Sequence, residues 1–551
     1  MPQLQLNSGP QDALLYDNTR SYFTNVGYVR TSNFQLELRD IDAQNSASLG
    51  STMQFVIPKA ADLLGPVDLM LEFDQASGGG TESCYAAWVE SVGLAMIEKV
   101  TFSVGSHDIE TVTGDQLNIV NELMKSDSQR LGRDTILKSG QGASVYDTTA
   151  TAPQLIATHS RSRTIYTTGA ATTETVDGAE VTTPGVTTYM EKKKLIVPLG
   201  LFFTKHPSQY FPLAAIAGCN DVRIAIKLRP LNELLVLGGS VTVASAADGG
   251  AITRVNSASV TENDVTTVTT DAPAVPIWAS GNPITQGSFK LRCHYVHVTG
   301  PEATTLMNKE HVRLLKLWQL NHKTVSIAKT SSGTLASMDL SFLHPVSELI
   351  ITIRKKSEMS SSTALEADYT KSDQKAYTKN YFAYHGGGSD PNVESVQNRS
   401  KPRSAAGSPI DEYLTVDNIK LTLNGQERHP GLAASGLDRD YLMNRLQPML
   451  HSNSTTTFGD TKDSLVVDGS EIDFQSLSNM LDRKEIYVYP FSLSPESSNP
   501  SGAVNFSKVS HAKLQIDGAA VGTSVEYQID VYGVHYNWLQ IKDGRALTSF
   551  S

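Results

Sequence analysis

Apolar and polar residues alternate along much of this chain, which is the pattern of β-strands that bury one face. Residues 100–104 alternate and stop at Gly105, and residues 419–423 alternate and stop at Asn424-Gly425, a dipeptide typical of tight hairpin turns. Further strand-like runs lie at 69–73, 222–228, 349–353 and 514–516. Many short strands separated by Gly, Pro and Asn predict an all-β sandwich or barrel rather than βαβ units.

Helical spacing is confined to a few stretches. Residues 114–124 place apolar side chains three apart, with Asp115 near the start, and residues 438–446 have a similar pattern. Each stretch follows a strand and a tight turn, so we expect two short helices within connections.

The order of features in the first half of the chain recurs in the second half. The strand and turn at 100–106 match those at 419–425, and the segment 194–203 around its proline resembles 485–493. Two further pairs fall in the same order, 52–73 with 337–353 and 222–228 with 512–516. This repetition predicts two copies of one β domain, far longer than a solenoid repeat. A chance likeness between all-β sequences is the alternative.

We expect the two copies to be separated near residues 298–302. The predicted organisation is an N-terminal arm at 1–28, a first domain at 29–299 and a second domain at 300–551. Three stretches rich in Thr, Ser, Gly or Ala interrupt the strand pattern, at about 126–190, 237–286 and 357–409. Their lengths are typical of inserted surface loops with a function of their own.

The chain has 551 residues, a formal net charge of −11 and 40% hydrophobic residues. This length predicts about two to four domains, and this composition excludes a wholly disordered chain. The acidic balance argues against a protein that coats DNA, which needs positive charge to neutralise phosphates. The first nine residues lack the regions of a signal peptide, and the apolar run 195–203 is far shorter than the ~20 residues of a spanning helix. We therefore expect neither a secretory signal nor a membrane span.

Catalytic and metal-binding patterns are scarce. Cys84, Cys219 and Cys293 are too widely spaced for a zinc site or a disulfide framework, and we interpret them as buried thiols. His294 and His297 fall on opposite faces of a predicted strand, so they cannot share a metal without a bulge. The chain has no Walker A, HExxH or G-x-S-x-G motif, although residues distant in sequence can still assemble a triad in space. We predict no catalytic residue, no cofactor and no metal.

Two short basic runs, 192–194 and Arg354-Lys355-Lys356, lie at the ends of predicted strands. We interpret them as solvated charges that discourage pairing at the sheet edge. Contact with acidic partner surfaces or lipid headgroups is the alternative.

The segment 485–507 carries a distinctive series of motifs. It reads as an aromatic-rich strand, a Pro-Phe, a Pro-Glu, a Pro-Ser-Gly and an Asn-Phe-Ser, and it closely resembles the signature of the major capsid proteins of nucleocytoplasmic large DNA viruses, the iridovirus, phycodnavirus and giant-virus group. The residues that carry this resemblance are Pro490, Phe491, Pro495, Glu496, Pro500, Ser501, Gly502, Asn505, Phe506 and Ser507.

Other segments resemble the same family, and together they cover roughly residues 20–551. Their matching residues are Asn424, Gly425, Tyr441, Gln447 and Pro448 in a turn and helix, His344 and Pro345 before a strand, and Tyr536, Asn537 and Gly544 in the closing strand. Trp538, Gln540 and the long Thr-rich insertions depart from the family pattern.

The resemblance implies a fold and a function. The family fold is two consecutive eight-stranded antiparallel jelly rolls with long inserted loops and a few short helices. Family members form homotrimers, and each trimer is a pseudo-hexameric capsomer that tiles an icosahedral shell around a membrane and double-stranded DNA. The implied partners are the chain itself, neighbouring capsomers, minor capsid and penton proteins, and the inner viral membrane through the N-terminal arm, without specific nucleic-acid binding. The implied location is the virion capsid, assembled in the host cytoplasm.

A second class of function stays open on the sequence. Two β-sandwiches in one chain also occur in proteins that bind or hydrolyse carbohydrate. That function needs clustered carboxylates or aromatic platforms, and the sequence alone locates neither.

Overall fold

The computed structural model describes most of the regular part of the chain. The described residues are 34–78, 85–89, 91–125, 193–218, 220–238, 281–285, 287–298, 300–327, 332–356, 413–428, 437–451, 486–497, 499–521 and 525–549, together with short pieces at 129, 136–137, 144–147, 154–158, 165–166, 172–176, 179–183, 241–245, 265–270, 276–278, 381–382, 384, 464–467 and 470–473. The expected arm at 1–28 and most of the three expected insertions lie outside these residues.

The first half of the chain forms a sandwich of two antiparallel sheets. Its strands are β1 (Phe34–Asp42), β2 (Thr52–Ile57), β3 (Leu63–Phe73), β4 (Ile97–Val104), β5 (His107–Thr113), β6 (Lys193–Pro198), β7 (Val222–Leu228) and β8 (Lys290–Val298). One sheet has the order β1-β8-β3-β6, extended by the two-residue strand Phe211–Pro212 beside β3, and the other has the order β2-β7-β4-β5. This arrangement of eight antiparallel strands in two sheets is a jelly roll.

The second half repeats this topology. Its strands are β9 (His311–Ile327), β10 (Ser332–Asp339), β11 (Pro345–Lys355), β12 (Tyr413–Leu423), β13 (Gln426–Glu427), β14 (Ile486–Pro490), β15 (Ala512–Val521) and β16 (Val525–Lys542). The sheet orders are β9-β16-β11-β14 and β10-β15-β12-β13, so first, eighth, third and sixth strands pair as before, and likewise second, seventh, fourth and fifth. The fold expected from the sequence, two consecutive jelly rolls, is confirmed, and each pair of similar segments falls on equivalent strands.

The remaining elements are short. The helices are α1 (Gly114–Leu123) and α2 (Gly300–Asn308), with single turns at Val92–Ala95 and Leu231–Leu234, and a helical segment made of Arg439–Tyr441, the π-helical Leu442–Leu446 and Gln447–Leu450. 3-10 turns lie at Phe202–Thr204, Pro207–Gln209, Leu213–Ala215 and Phe506–Lys508. Minor strands lie at Ala76–Gly78, Tyr85–Trp88, Ser144–Asp147, Gln154–Thr158, Ile165–Tyr166, Thr172–Val176, Ala179–Thr183, Leu235–Gly238, Val241–Ser245, Val265–Thr270, Pro276–Trp278, Leu437–Asp438, Ser464–Val467, Ser470–Asp473, Val504–Asn505 and Arg545–Thr548.

Local sequence explains these elements well. Along β7 the alternate residues Val222, Ile224 and Ile226 are buried, while the residues between them are exposed or half-buried, as period-two patterning requires. Helix α1 begins after Thr113, whose hydroxyl accepts a hydrogen bond from the Gln116 amide at 3.2 Å. Both expected helical stretches are helical in the structure.

The apolar cores of the two jelly rolls are joined through one sheet face. The core of the first roll continues into Ile350, Val488, Tyr532 and Val534, which lie on the β16-β11-β14 sheet of the second roll. Because alternate residues of these strands point to opposite faces, one set fills the second roll and the other set packs on the first. This shared contact positions the two rolls relative to each other.

Candidate functional site

The motif-rich segment forms the connection between β14 and β15, and we call residues 491–507 the signature loop. At its start, the Phe491 amide donates to the Ser347 carbonyl at 2.9 Å. At its end, Val504 and Asn505 pair with Val346 and Pro345 of β11. Both ends of the loop are therefore fixed on the same strand.

The neck of the loop is closed by Ser501. Its hydroxyl accepts a hydrogen bond from the Ser494 amide at 2.9 Å, and its carbonyl accepts one from the Leu493 amide at 3.4 Å. Gly502 follows with a φ of 136°, and a Cβ placed there would lie 2.9 Å from the Phe491 carbonyl oxygen. The Pro-Ser-Gly motif thus brings the two sides of the loop together where a side chain does not fit.

The Asn-Phe-Ser motif anchors the end of the loop. The Asn505 side chain accepts from the Ser507 amide at 3.1 Å and so caps a 3-10 turn. The Phe506 ring is buried edge-on against Phe342, with centroids 5.8 Å apart. The backbone of His344 binds the last two residues of this motif. Its amide donates to the Ser507 hydroxyl at 2.9 Å, and its carbonyl accepts from the Phe506 amide at 3.1 Å.

A buried charge cluster holds the middle of the loop. The His451 ring lies between two carboxylates, with Nε2 3.0 Å from Glu348 and Nδ1 3.2 Å from Glu496. Burial alone would lower the pKa of His451, but the hydrogen bonds to these carboxylates outweigh it and raise the pKa to about 9. His451 is therefore a cation at neutral pH, and it ties the loop to β11 and to the helical segment.

Lys316 of β9 supports the same part of the loop. Its ammonium donates to the Pro495 carbonyl at 2.7 Å and to the Ser497 carbonyl, and it lies 5.4 Å from the ring centre of Tyr536. Burial lowers the pKa of Lys316 to about 8. The two carbonyl oxygens and the face of the ring replace the water that such an ammonium loses on burial.

The other sequence-predicted residues lie at separate places. Gln447 reaches β14, where its side-chain amide donates to the Ile486 carbonyl at 3.3 Å, while Tyr441 on the same helical segment is half-exposed. Asn424 has a φ of 51° in the β12–β13 turn, and its side chain accepts from the Ser510 amide at 2.9 Å. These residues brace the second roll and do not join the signature loop. Pro448 lies within the helical segment, and Pro500 lies just before the neck of the loop.

Gly544 connects the two halves of the chain. Its carbonyl accepts from the Ala217 amide at 3.0 Å and from the Asn220 side chain at 2.8 Å. A Cβ on Gly544 would lie 2.3 Å from the Ala217 Cβ, and the φ of Gly544 is 74°. Only glycine permits this approach. Asn537, earlier on β16, accepts from the Trp538 amide at 2.7 Å.

A buried arginine makes a polar link between the rolls. Arg354 is 1% exposed, and its guanidinium lies 2.7 Å from the Asp115 carboxylate of α1 and also pairs with Asp530 of β16. Burial would lower the pKa of Arg354, but the two aspartates raise it well above the usual value. The sequence-based interpretation of Arg354 as a solvated edge charge is wrong, because β11 directs this side chain onto the sheet face that the first roll covers. Lys356, by contrast, is exposed and pairs with Glu526.

Aromatic residues within the expected third insertion complete this contact. The Tyr381 hydroxyl donates to Glu233 at 3.0 Å, and the Arg229 guanidinium lies 4.4 Å from the Tyr381 ring centre. The Asn118 side chain donates to the Tyr384 hydroxyl at 3.1 Å. Sequence reasoning missed these residues, although the aromatic sequence Tyr-Phe-Ala-Tyr at 381–384 stands out from its polar surroundings.

Among the described residues, two kinds of reactive group are relevant, a cysteine thiol and a cluster of metal ligands. Burial raises the pKa of the Cys293 thiol to about 12, so it stays protonated. Within the described ranges, no group of three or more His, Cys, Asp or Glu side chains is placed to hold a metal ion. In the same part of the chain, no helix is both long and apolar enough to cross a membrane.

Comparisons with known proteins agree with one another. The family model described as the major capsid protein N-terminus matches residues 21–280. The major capsid protein of Phaeocystis pouchetii virus is 23% identical over 98% of both chains. That of Pyramimonas orientalis virus is 22% identical over 98% of this chain and 97% of its own.

Solved structures share the fold over nearly the whole chain. The Faustovirus major capsid protein matches with a TM-score of 0.57 and 13% identity, over 97% of this chain and 94% of its own. The quasi-atomic PBCV-1 virus capsid matches with a TM-score of 0.56 and 15% identity, over 96% of this chain and 99% of its own.

Proposed function

Because this chain belongs to the major capsid proteins of nucleocytoplasmic large DNA viruses, we propose that three copies form a pseudo-hexameric capsomer that tiles an icosahedral shell. As a member of this family, the chain is a structural protein of the virion capsid rather than an enzyme. Three chains with two jelly rolls each present six similar blocks, which is how threefold symmetry gives near-sixfold packing.

The observation that carries this proposal is the joining of the two repeated jelly rolls into one unit. Their strand orders are the same, and the buried ion pairs of Arg354 and the backbone contact at Gly544 hold them together. A tile must keep the angle between its blocks constant so that neighbouring tiles meet edge to edge. A shared core with buried, directional hydrogen bonds supports that requirement.

Exposed apolar side chains support association between copies. Phe34, Leu36 and Leu38 alternate along β1, which is the outermost strand of its sheet within the described residues. Their exposed fractions are 49%, 63% and 61%. Alternation places these three side chains on one face. A row of large apolar residues beside a free strand edge is typical of a surface that another chain covers.

A second exposed apolar group lies on β9, β16 and the short strand Arg545–Thr548. Val312 and Leu547 lie opposite Gln540 on either side of β16, and Trp538 follows on the same face. This group lies on the second roll, whereas the row on β1 lies on the first. It supports a second contact, to a neighbouring capsomer or a minor capsid or penton protein. The same proposal includes four further points. They are a division of the chain at 29–299 and 300–551, an arm at 1–28 that reaches the inner membrane, the absence of specific nucleic-acid binding, and assembly in the host cytoplasm.

The carbohydrate alternative has no support from the described residues. Glu348 and Asp530 are buried carboxylates, but each is held in an ion pair inside the protein, with His451 and Arg354 respectively. A glycosidase instead needs two carboxyl groups facing a cleft wide enough for a sugar.

Light scattering coupled to size exclusion tests the proposal directly. The full chain at micromolar concentration is expected to elute with three times the mass of one chain, and electron micrographs of the peak are expected to show hexagonal outlines. A chain that stays monomeric at that concentration contradicts the proposal.

A further inference from the structure

Two histidines stack at the end of the signature loop. His535 lies in β16 between Leu317 of β9 and Val346 of β11. His344 lies just before β11, and the two ring centres are 5.3 Å apart with the planes tilted by 32°. His535 is only 5% exposed.

His344 is also the residue that holds the end of the loop. Its amide donates to the Ser507 hydroxyl and its carbonyl accepts from the Phe506 amide. His344 has a φ of 68°, in the left-handed region that few residues other than Gly, Asn and Asp adopt. Both hydrogen bonds to the loop are made by the backbone of His344 in this conformation. A movement of the His344 ring that rotates the backbone would therefore break them.

The surroundings of His535 favour a neutral ring. Burial, followed by the charge that His344 can carry, lowers the pKa of His535 to about 4, although backbone hydrogen bonds at Gly533 and Leu317 oppose this effect. The Nδ1 atom of His535 has no hydrogen-bond partner within the described residues. A positive charge on the His535 ring would therefore lie beside a second imidazole, with little to offset the cost of burying it.

The charged groups on the neighbouring elements are committed elsewhere. On β11 the carboxylate of Glu348 binds His451, and in the signature loop Glu496 binds the same ring. On β9 the ammonium of Lys316 donates to the Pro495 and Ser497 carbonyls. None of these ion pairs or hydrogen bonds includes His535.

We propose that the stacked His344–His535 pair is an acid-sensitive switch, which holds the end of the signature loop on β11 while His535 is neutral and releases it when His535 is protonated. The inference concerns the folded chain and does not depend on its oligomeric state. The start and middle of the loop stay attached in acid, because His451 remains a cation there. Release is therefore local, confined to the segment around Phe506 and Ser507.

The direction of the pH dependence follows from proton linkage. His535 binds a proton less readily in the folded chain than in an open one, so docking of the loop is strongest above pH 6.5 and weakens as the pH falls toward 4. With these two values, and with the His535 ring fully solvated in the open state, the opening equilibrium at pH 5 is about thirtyfold more favourable than at pH 7.5.

Hydrogen exchange on the full chain measures this opening. The amide of Phe506 is followed at about pH 7.5 and pH 5, corrected for the intrinsic exchange rate, with the buried strand β7 as the internal reference. The wild type is expected to show roughly a thirtyfold larger opening constant for the loop at the lower pH, with no comparable change in β7.

Variants separate the switch from general acid instability. H535F keeps a ring against His344 but cannot take up a proton, so its loop is expected to exchange equally at both pH values. H344N keeps a residue that tolerates the left-handed conformation and removes the facing imidazole, so it is expected to weaken the response. H322Q alters an exposed histidine on β9 and is expected to behave as the wild type.

Either of two results overturns the proposal. One is a wild-type loop whose corrected exchange does not change between the two pH values. The other is H535F or H344N with the full wild-type response. The wild-type measurement decides the matter even where a variant does not fold.

Discussion

Arg354 of the second jelly roll binds both oxygens of Asp115 of the first, at 2.7 and 3.3 Å, and the two residues are 239 positions apart in the sequence. The same guanidinium donates to the Tyr381 carbonyl at 2.9 Å and pairs with Asp530. A buried guanidinium with several acceptors fixes direction as well as distance, since its N–H groups form a rigid plane. This pair therefore sets how one jelly roll is oriented on the other.

We predict that R354M destabilises the protein strongly. Methionine removes the cation and leaves the carboxylates of Asp115 and Asp530 without their positively charged partner. The free energy of unfolding, measured by urea denaturation, is expected to fall by about 3–5 kcal/mol.

The matched control is K356M on the same part of the chain. Lys356 and Glu526 form an exposed pair, so this change is expected to cost less than ~1 kcal/mol. Equal losses in the two variants would show that the Arg354 pair does not stabilise the contact between the rolls.

We predict that G544A weakens the contact between the rolls. An alanine Cβ would collide with Ala217 at 2.3 Å and would also strain a backbone whose φ is 74°. The cost is expected to exceed the ~1 kcal/mol of an ordinary left-handed glycine. G425A is the control, since Gly425 has a φ of 79° but open space around it. Thermal unfolding of both variants makes the comparison, and a G544A loss no larger than that of G425A would count against the close approach.

The buried His451 predicts a loss of stability at alkaline pH. Its pKa is raised from 6.5 to about 9 in the folded chain, so its contribution is fully present below 6.5 and disappears as the pH rises through 9. The contribution is at most about 3 kcal/mol. Lys316 has the opposite effect on stability. Because burial lowers its pKa, its contribution to the free energy of unfolding increases as the pH rises.

The comparison of wild type with H451Q isolates the histidine. The difference in unfolding free energy between the two proteins is expected to be largest near pH 6 and to shrink toward pH 10. A difference that stays constant across this range would mean that the ring is not charged between Glu348 and Glu496.

The exposed row on β1 predicts an effect on association without an effect on folding. The double variant L36S/L38S removes two large apolar side chains, each worth about 1.5–3 kcal/mol when fully buried. The dissociation constant of the proposed trimer is expected to rise at least tenfold, as measured by sedimentation. L343S removes a similarly exposed leucine from the β10–β11 connection and serves as the control. An unchanged trimer in L36S/L38S would exclude this row as a subunit contact.

Local sequence determined much of this protein. The alternation of Val222, Ile224 and Ile226 predicted an inward face, and the Asn424-Gly425 turn predicted a hairpin. Such patterns are readable because each depends on residues a few positions apart. The repetition of these local patterns in one order also predicted two copies of one β domain, and the family resemblance implied that each copy is a jelly roll.

The tertiary structure alone decided what covers the outer faces of the strands. Alternation shows that Arg354 and His535 leave one face of a strand, but not whether that face meets water or protein. Arg354 is buried between the two rolls. Tyr381 and Tyr384, which belong to the expected third insertion, pack at the same contact. The stacking of His344 on His535 likewise joins residues that are far apart in the chain. These contacts depend on how two complete sheets pack, which no short window of sequence contains.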